Sequence, residues 1–226
     1  MSSGETKTVS LRTQIGEGLR HVFGSRHRRA LAISAVVVNF GTSVISTMLP
    51  VVFVREFGLS SAALGLFWAT GGAALLLGAR SARPMAHWIG YGRTIGTAGL
   101  FLTPGSLLVP LIDRWPWLFL AGTGWFLFMF KMGMDNVLGV TLRQHMTPDS
   151  LRGRMNATFS FLLTGALASG AAVSGLLGEL ISVQVALWVG GIIASTAFLP
   201  VFLSPVRTLR ELPGISARRK TPKPVS

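Results

Sequence analysis

The stretch RRALAISAVVVNFGTSVISTMLPVVFVRE, residues 28–56, decides how the chain is read. Between Arg28-Arg29 and Arg55-Glu56 lies an uncharged run, 30–54. Coiled as a helix it exceeds the roughly 20 apolar residues that cross a hydrocarbon core of about 30 Å. Five further mostly apolar runs follow, at 61–79, 94–112, 115–141, 157–180 and 183–203. Glycine and proline within them are compatible with helix, because membrane-spanning helices tolerate both. The expected fold is an all-α membrane protein with six transmembrane helices spread over residues 30–204.

Composition points the same way. Of 226 residues 50% are hydrophobic and 13% charged, with a mean hydropathy of +0.55. Disorder needs low hydrophobicity, and soluble domains carry about a quarter charged residues. The formal charge of +13 would suggest nucleic acid in a soluble protein. Here its placement gives another reason for it. Six basic residues precede the first run (Lys7, Arg12, Arg20, Arg26, Arg28, Arg29), and Arg80, Arg83 and Arg93 separate the second from the third. Arg143, Arg152 and Arg154 lie between the fourth and fifth, and six more follow the sixth, from Arg207 to Lys223. The alternate loops hold only Arg55 and Arg114, with Lys131 inside a run. By the positive-inside rule both termini are cytoplasmic (N-in/C-in), and no nucleic-acid partner is needed to explain the charge.

The connections, short outside and about 14 to 16 residues inside, leave no room for a soluble domain. Residues 1–29 form a basic cytoplasmic segment without a cleavable signal. Leu11, Ile15, Leu19 and Val22 recur in it at helical spacing, which fits a short amphipathic helix on the inner face or a solvated linker. Residues 205–226 are a basic, proline-containing tail, expected to be disordered.

Enzyme chemistry finds little footing. There is no cysteine, and the four histidines show no metal-ligand spacing. No phosphate-binding glycine loop is present. The nearest approach to an intramembrane serine-protease motif, Ala172-Val173-Ser174-Gly175, lacks its first glycine and has no histidine after it. No enzyme activity, cofactor or metal is expected.

Polar groups inside the runs are more informative, because lipid makes them costly. Lys131 and Asp135 are four apart and can pair on one helix face, with Asn136 beside them. Counted back from Arg143 at about 1.5 Å per residue, Asp135 lies about 12 Å in and Lys131 about 18 Å. The pair is either a proton- or substrate-handling site or an interfacial ion pair whose lysine snorkels to the headgroups. Asn39, Ser43, Ser46 and Thr47 form a stripe that suits a water-filled pathway or hydrogen bonds between helices. Small residues repeat every fourth position at Gly65, Ala69 and Ala73, and again at Ala166, Gly170, Ser174 and Gly178. Such ridges mark helix–helix interfaces, within this bundle or with another.

Three loop segments carry a family resemblance. Glu17-Gly18-Leu19-Arg20 through Arg28-Arg29-Ala30-Leu31 resembles the approach to the seventh helix of major facilitator superfamily transporters. Leu142-Arg143-Gln144, Thr147-Pro148-Asp149 and Leu151-Arg152-Gly153-Arg154-Met155-Asn156-Ala157 together resemble the helix 10–11 loop of a bacterial branch that includes enterobactin and macrolide exporters. Gly78, Arg83, Gly90, Gly92 and Arg93 resemble the superfamily's glycine-and-arginine loop motif, with Ala82 where an aspartate is usual and Pro84 interrupting the run.

The resemblance implies the C-terminal six-helix half of a twelve-helix transporter, whose two halves bind substrate between them near the midplane. It implies that the first and fourth spans line the cavity and that the second and fifth face the other half. The implied function is efflux of a small amphipathic compound across the inner (plasma) membrane by alternating access, coupled to protons through Asp135. The expected partners are the bilayer, the small-molecule substrate and a second six-helix half. That half is a separate chain, an N-terminal half missing from this sequence, or a second copy. The alternative is a non-transporting membrane subunit or truncated remnant that binds a partner half.

Overall fold

The structure is a computed structural model that describes residues 16, 20, 22–112, 116–148 and 151–205. Six helices are long and apolar enough to cross a membrane: α1 (Arg26–Glu56), α2 (Ser61–Ile89), α3 (Tyr91–Leu111), α4 (Trp117–His145), α5 (Arg152–Leu180) and α6 (Val183–Phe202). No strand occurs among the described residues. The arginine-rich connections all fall at one end of the bundle, called here the basic end.

The helices outrun the apolar runs. α2 continues past Ala79 through Arg80, Arg83 and Pro84 to Ile89, and α3 starts at Tyr91. The long loop expected there is therefore a single residue, Gly90, at φ +99°, a conformation that side chains disfavour. A helix keeps satisfying its own backbone beyond the hydrocarbon edge, and long basic side chains reach the headgroups from it. The hydroxyl of Thr94 donates to Gly90 O at 2.8 Å and to Met85 O at 3.2 Å, which fixes the corner. At the other end Gly58 makes the turn at φ +60°, and Ser60 Oγ accepts from Ala63 N at 3.3 Å to start α2.

Proline reshapes two helices in their outer halves. After Pro50, α1 widens into a π-helical turn over Val51–Glu56, and α3 tightens into a 3-10 coil over Thr103–Leu111, which holds Pro104 and Pro110. A proline removes an N–H and crowds the preceding turn, so the regular ladder gives way beside it.

α1 rests on α5 and α6, α2 rests on α4, and α3 lies between α4 and α6. Exchanging the first three helices with the last three leaves this pairing unchanged. Lipid offers no hydrophobic drive between helices, so contact and hydrogen bonds must hold them together. Backbones meet at glycine. Side chains at Gly78 and Gly133 would collide with the backbones of α4 at Phe130 and of α2 at Leu75. A Cβ at Gly170 would stand 2.6 Å from Phe40 O on α1, and one at Gly41 2.6 Å from Ala194 N on α6.

Hydroxyls add a second set of links. Ser174 Oγ donates to Val44 O at 2.8 Å, Ser43 Oγ to Leu167 O at 2.7 Å, Ser34 Oγ to Ala197 O at 2.6 Å and Ser106 Oγ to Gly191 O at 2.9 Å. Gln184 Nε2 donates to Pro110 O. Of the amphipathic set proposed for residues 1–29, Leu11, Ile15 and Leu19 lie outside the described residues. Val22 is helical and fully buried with Ala32, Met155 and Phe159. The basic tail likewise lies outside them beyond residue 205.

Gly78→Val and Gly133→Val are expected to cost about 3 kcal/mol or more, because backbone cannot yield as a side chain can. Gly139→Val serves as control, since a Cβ there meets nothing within 4 Å. Size-exclusion profiles and denaturation midpoints in detergent check this; equal behaviour of all three would refute the glycine-contact account.

Candidate functional site

α4 leans on α2 and α1 leans on α5, so α1 and α4 face one another across a gap. The cleft between them measures about 80 Å³. Leu31, Ser34, Ala35, Val38 and Asn39 form one wall. Met132, Asp135, Asn136, Gly139, Val140 and Arg143 form the other, with Ile95, Leu163 and Val201 closing the rest. A wider groove of about 480 Å³ opens between α2 and α4 toward the opposite end, walled by Phe67, Phe119 and Phe126. Among the described residues no charged side chain lines that groove, whereas charged groups do line the α1–α4 cleft.

Lys131 and Asp135 sit one turn apart on α4, and Nζ of the lysine donates to Asp135 Oδ2. Lys131 is 4% exposed. Its stem lies inside the bundle beside Gly99 of α3, where a Cβ would stand 3.5 Å from the lysine Cε. It therefore does not snorkel. Asp135 Oδ1 is buried without a partner. Removing two charges from water costs several kcal/mol each, and their mutual attraction offsets this only while both stay charged and close.

Toward the basic end the same face of α4 continues as Gly139 and Arg143. The Arg143 guanidinium carbon lies 3.9 Å from the centroid of the Phe159 ring on α5, and its Nε is buried without a hydrogen-bond partner. Across the cleft Asn39 Nδ2 donates to Ala35 O of its own helix at 2.7 Å. At the mouth, Arg28 Nη1 on α1 donates to Met146 O, just past the end of α4, at 3.2 Å. Among the described residues no group of three potential ligands could hold a metal ion.

A scan of family models matches the Major Facilitator Superfamily over residues 31–226. The chain belongs to this superfamily. No curated protein and no solved structure matches it. It is thus a multi-pass membrane protein of a transporter family, and its six helices fit a half of a major facilitator bundle. Such halves contain inverted repeats of three helices, which the exchange-invariant pairing of α1–α3 with α4–α6 displays.

In this superfamily member the structure redistributes several expected residues. The stripe on α1 splits. Asn39 lines the cleft, but Ser43, about 40° further round the helix, is buried and bonded to α5. Thr47 Oγ1 donates to Ser43 O at 2.8 Å and Ser46 is half-buried, so neither lines the cleft. Of this stripe the cleft takes Asn39, and Ser43 makes the hydrogen bond between helices that the stripe also suited.

The α5 ridge is corrected. Ala166, Gly170 and Ser174 are buried, and Gly170, Ser174 and Gly178 form the notch that receives Phe40, Val44 and Met48 of α1. They are not available to a second half. Gly65, Ala69 and Ala73 on α2 are exposed. Of the loop motif, Gly78 is a packing contact, Gly90 the corner, and Gly92 is buried at the start of α3; Arg83 and Arg93 are exposed. Arg152 and Arg154 open α5, exposed at the basic end. Arg143, read from sequence as a loop residue, belongs to the cleft. The four-residue spacing Lys131, Asp135, Gly139, Arg143 was the available signal for it and for Gly139, and Ser34 had none.

Lys131→Met alone is expected to destabilise the protein by about 3 kcal/mol, because a carboxylate is left unpaired in the bundle. Lys131→Met with Asp135→Asn should regain most of that loss. Unfolding titrations in mixed detergent micelles measure both; a double variant as unstable as the single one would contradict the pairing account.

Proposed function

We propose that the chain exports a small amphipathic compound by alternating access, coupled to protons, as the C-terminal-type half of a major facilitator transporter in the inner (plasma) membrane. The observation that carries this reading is the polar cleft between α1 and α4, with a buried lysine–carboxylate pair at its deep end. Efflux, rather than uptake, is supported by the resemblance of residues 142–157 to the enterobactin and macrolide exporter branch.

The pair supplies a physical route to coupling. A proton arriving on Asp135 removes the negative charge and leaves the Lys131 ammonium buried without its counter-ion. That state is costly by several kcal/mol, so the helices around it favour an arrangement that rehydrates the lysine. Release of the proton restores the pair. Among the described residues the other acids are Glu56, at the end of α1, and Glu179, exposed at the end of α5. Neither adjoins the cleft.

A second six-helix half would complete the cavity. In support, α2 and α5 are the least covered helices: 22% and 17% of their most apolar windows are buried, against 39% or more elsewhere. Their exposed faces are rich in small residues, with Gly65, Ala69, Gly72 and Ala73 on α2 and Ala168, Ala172 and Gly175 on α5. These faces allow close approach of another bundle.

In proteoliposomes holding the complete transporter, Asp135→Asn is expected to abolish efflux driven by a pH gradient; unchanged transport would remove Asp135 from the mechanism. The chain contains no cysteine, so Gly72→Cys with Ala172→Cys gives a clean cross-linking test. A second copy as the other half predicts a species of about twice 24.1 kDa. Its absence in membranes assigns the other half to a different sequence. A chain that binds its partner half yet moves no solute would be the non-transporting subunit.

A further inference from the structure

We propose that the cleft between α1 and α4 takes an amphipathic anion, with its acidic group at Arg143 and a hydrogen-bond donor at Asp135. This rests on the reading of the cleft as the transport site and names the chemical class that the site selects.

Charge is the first argument. Among the described residues Asp135 and Arg143 are the charged side chains that line the cleft, and Lys131 already neutralises Asp135 from behind. Among these residues one positive charge, on Arg143, has no carboxylate paired with it. The Phe159 ring supports the flat face of its guanidinium, which leaves the planar edge for an oxyanion to meet in a two-point contact.

Unpaired atoms are the second argument. Asp135 Oδ1, an acceptor, and Arg143 Nε, a donor, are both buried without partners, although buried polar groups are nearly always hydrogen-bonded. At about 80 Å³ the cleft is nearly shut, and both atoms are covered. Each gains a partner when the walls part around a ligand.

Spacing is the third. Asp135 and Arg143 lie eight residues apart on one face of α4, about 12 Å along the axis. Between them stand Gly139, whose missing side chain leaves open space, and the apolar Val38, Val140 and Leu163. The cleft thus presents a cation, an apolar stretch and an acceptor in order.

The test is equilibrium binding of labelled 10-hydroxydecanoate, a chain with a carboxylate at one end and a hydroxyl at the other, to the purified protein in phosphatidylcholine nanodiscs. Saturable binding is expected, competed several-fold less well by decanoate and not at all by 1,10-decanediol. Arg143→Gln should weaken it at least tenfold, and Arg143→Lys should keep most of it. Gly139→Leu fills the cleft from a position facing open space and should abolish binding while the elution profile stays monodisperse. It also stands in if Arg143→Gln does not fold.

Phosphatidylglycerol added to the nanodiscs separates two sources of the anion. Displacement of the probe makes a lipid headgroup the natural occupant; undisturbed binding makes it a free solute. Competition by the diol equal to that of the probe, undiminished binding to Arg143→Gln, or preference for decylammonium would each overturn the inference. Because no gradient is involved, such a failure leaves the transport reading standing, and loss of proton-driven transport leaves the binding result intact.

Discussion

No water reaches the hydrocarbon core, so each helix must satisfy its own backbone and must be held to its neighbours by close contact and hydrogen bonds. The rest of the structure depends on how that contact is made. α2 and α4 approach until backbone meets backbone at Gly78 and Gly133. α1 settles into α5 at Gly170 and into α6 at Gly41 in the same way. Serine hydroxyls on α1, α3 and α5 then donate to carbonyls across the joints. With α4 drawn to α2 and α1 drawn to α5, the two are left facing each other across the cleft. The cleft is what the packing elsewhere leaves open.

Into that space the protein puts charges that the membrane penalises. Lys131 and Asp135 are joined by a hydrogen bond within one helix, so each offsets the cost of burying the other. The same low-polarity surroundings make the pair costly to break by removing one partner. Arg143 is treated differently. An aromatic face supports it, and among the described residues no carboxylate pairs with it.

Sequence and structure agree where one dimension suffices. Hydrophobic length against bilayer thickness gives six spans, and the basic residues alternate with them from loop to loop. Lys131 and Asp135 were legible as a pair because i, i+4 geometry is fixed by the helix itself. Ser43 was not legible. On α1 it lies close to Asn39 in angle, yet its hydroxyl belongs to α5, and only the position of a neighbouring helix separates the two. The ridge from Ala166 to Gly178 shows the same limit: small residues announce a close contact without saying whose.

The amino-acid sequence by itself determined the class of molecule, the number of spans and the presence of a charged pair within the fourth. These follow from transfer energies and from the pitch of a helix, which are local quantities. Only the tertiary structure decided that α1 occupies the α5 ridge, that the Arg83 segment is helix broken by one glycine, and that Arg143 shares a cleft with Asp135. Those facts depend on which backbones approach within reach of each other. In lipid, that is set by the fit of many small contacts across the whole bundle rather than by any single residue.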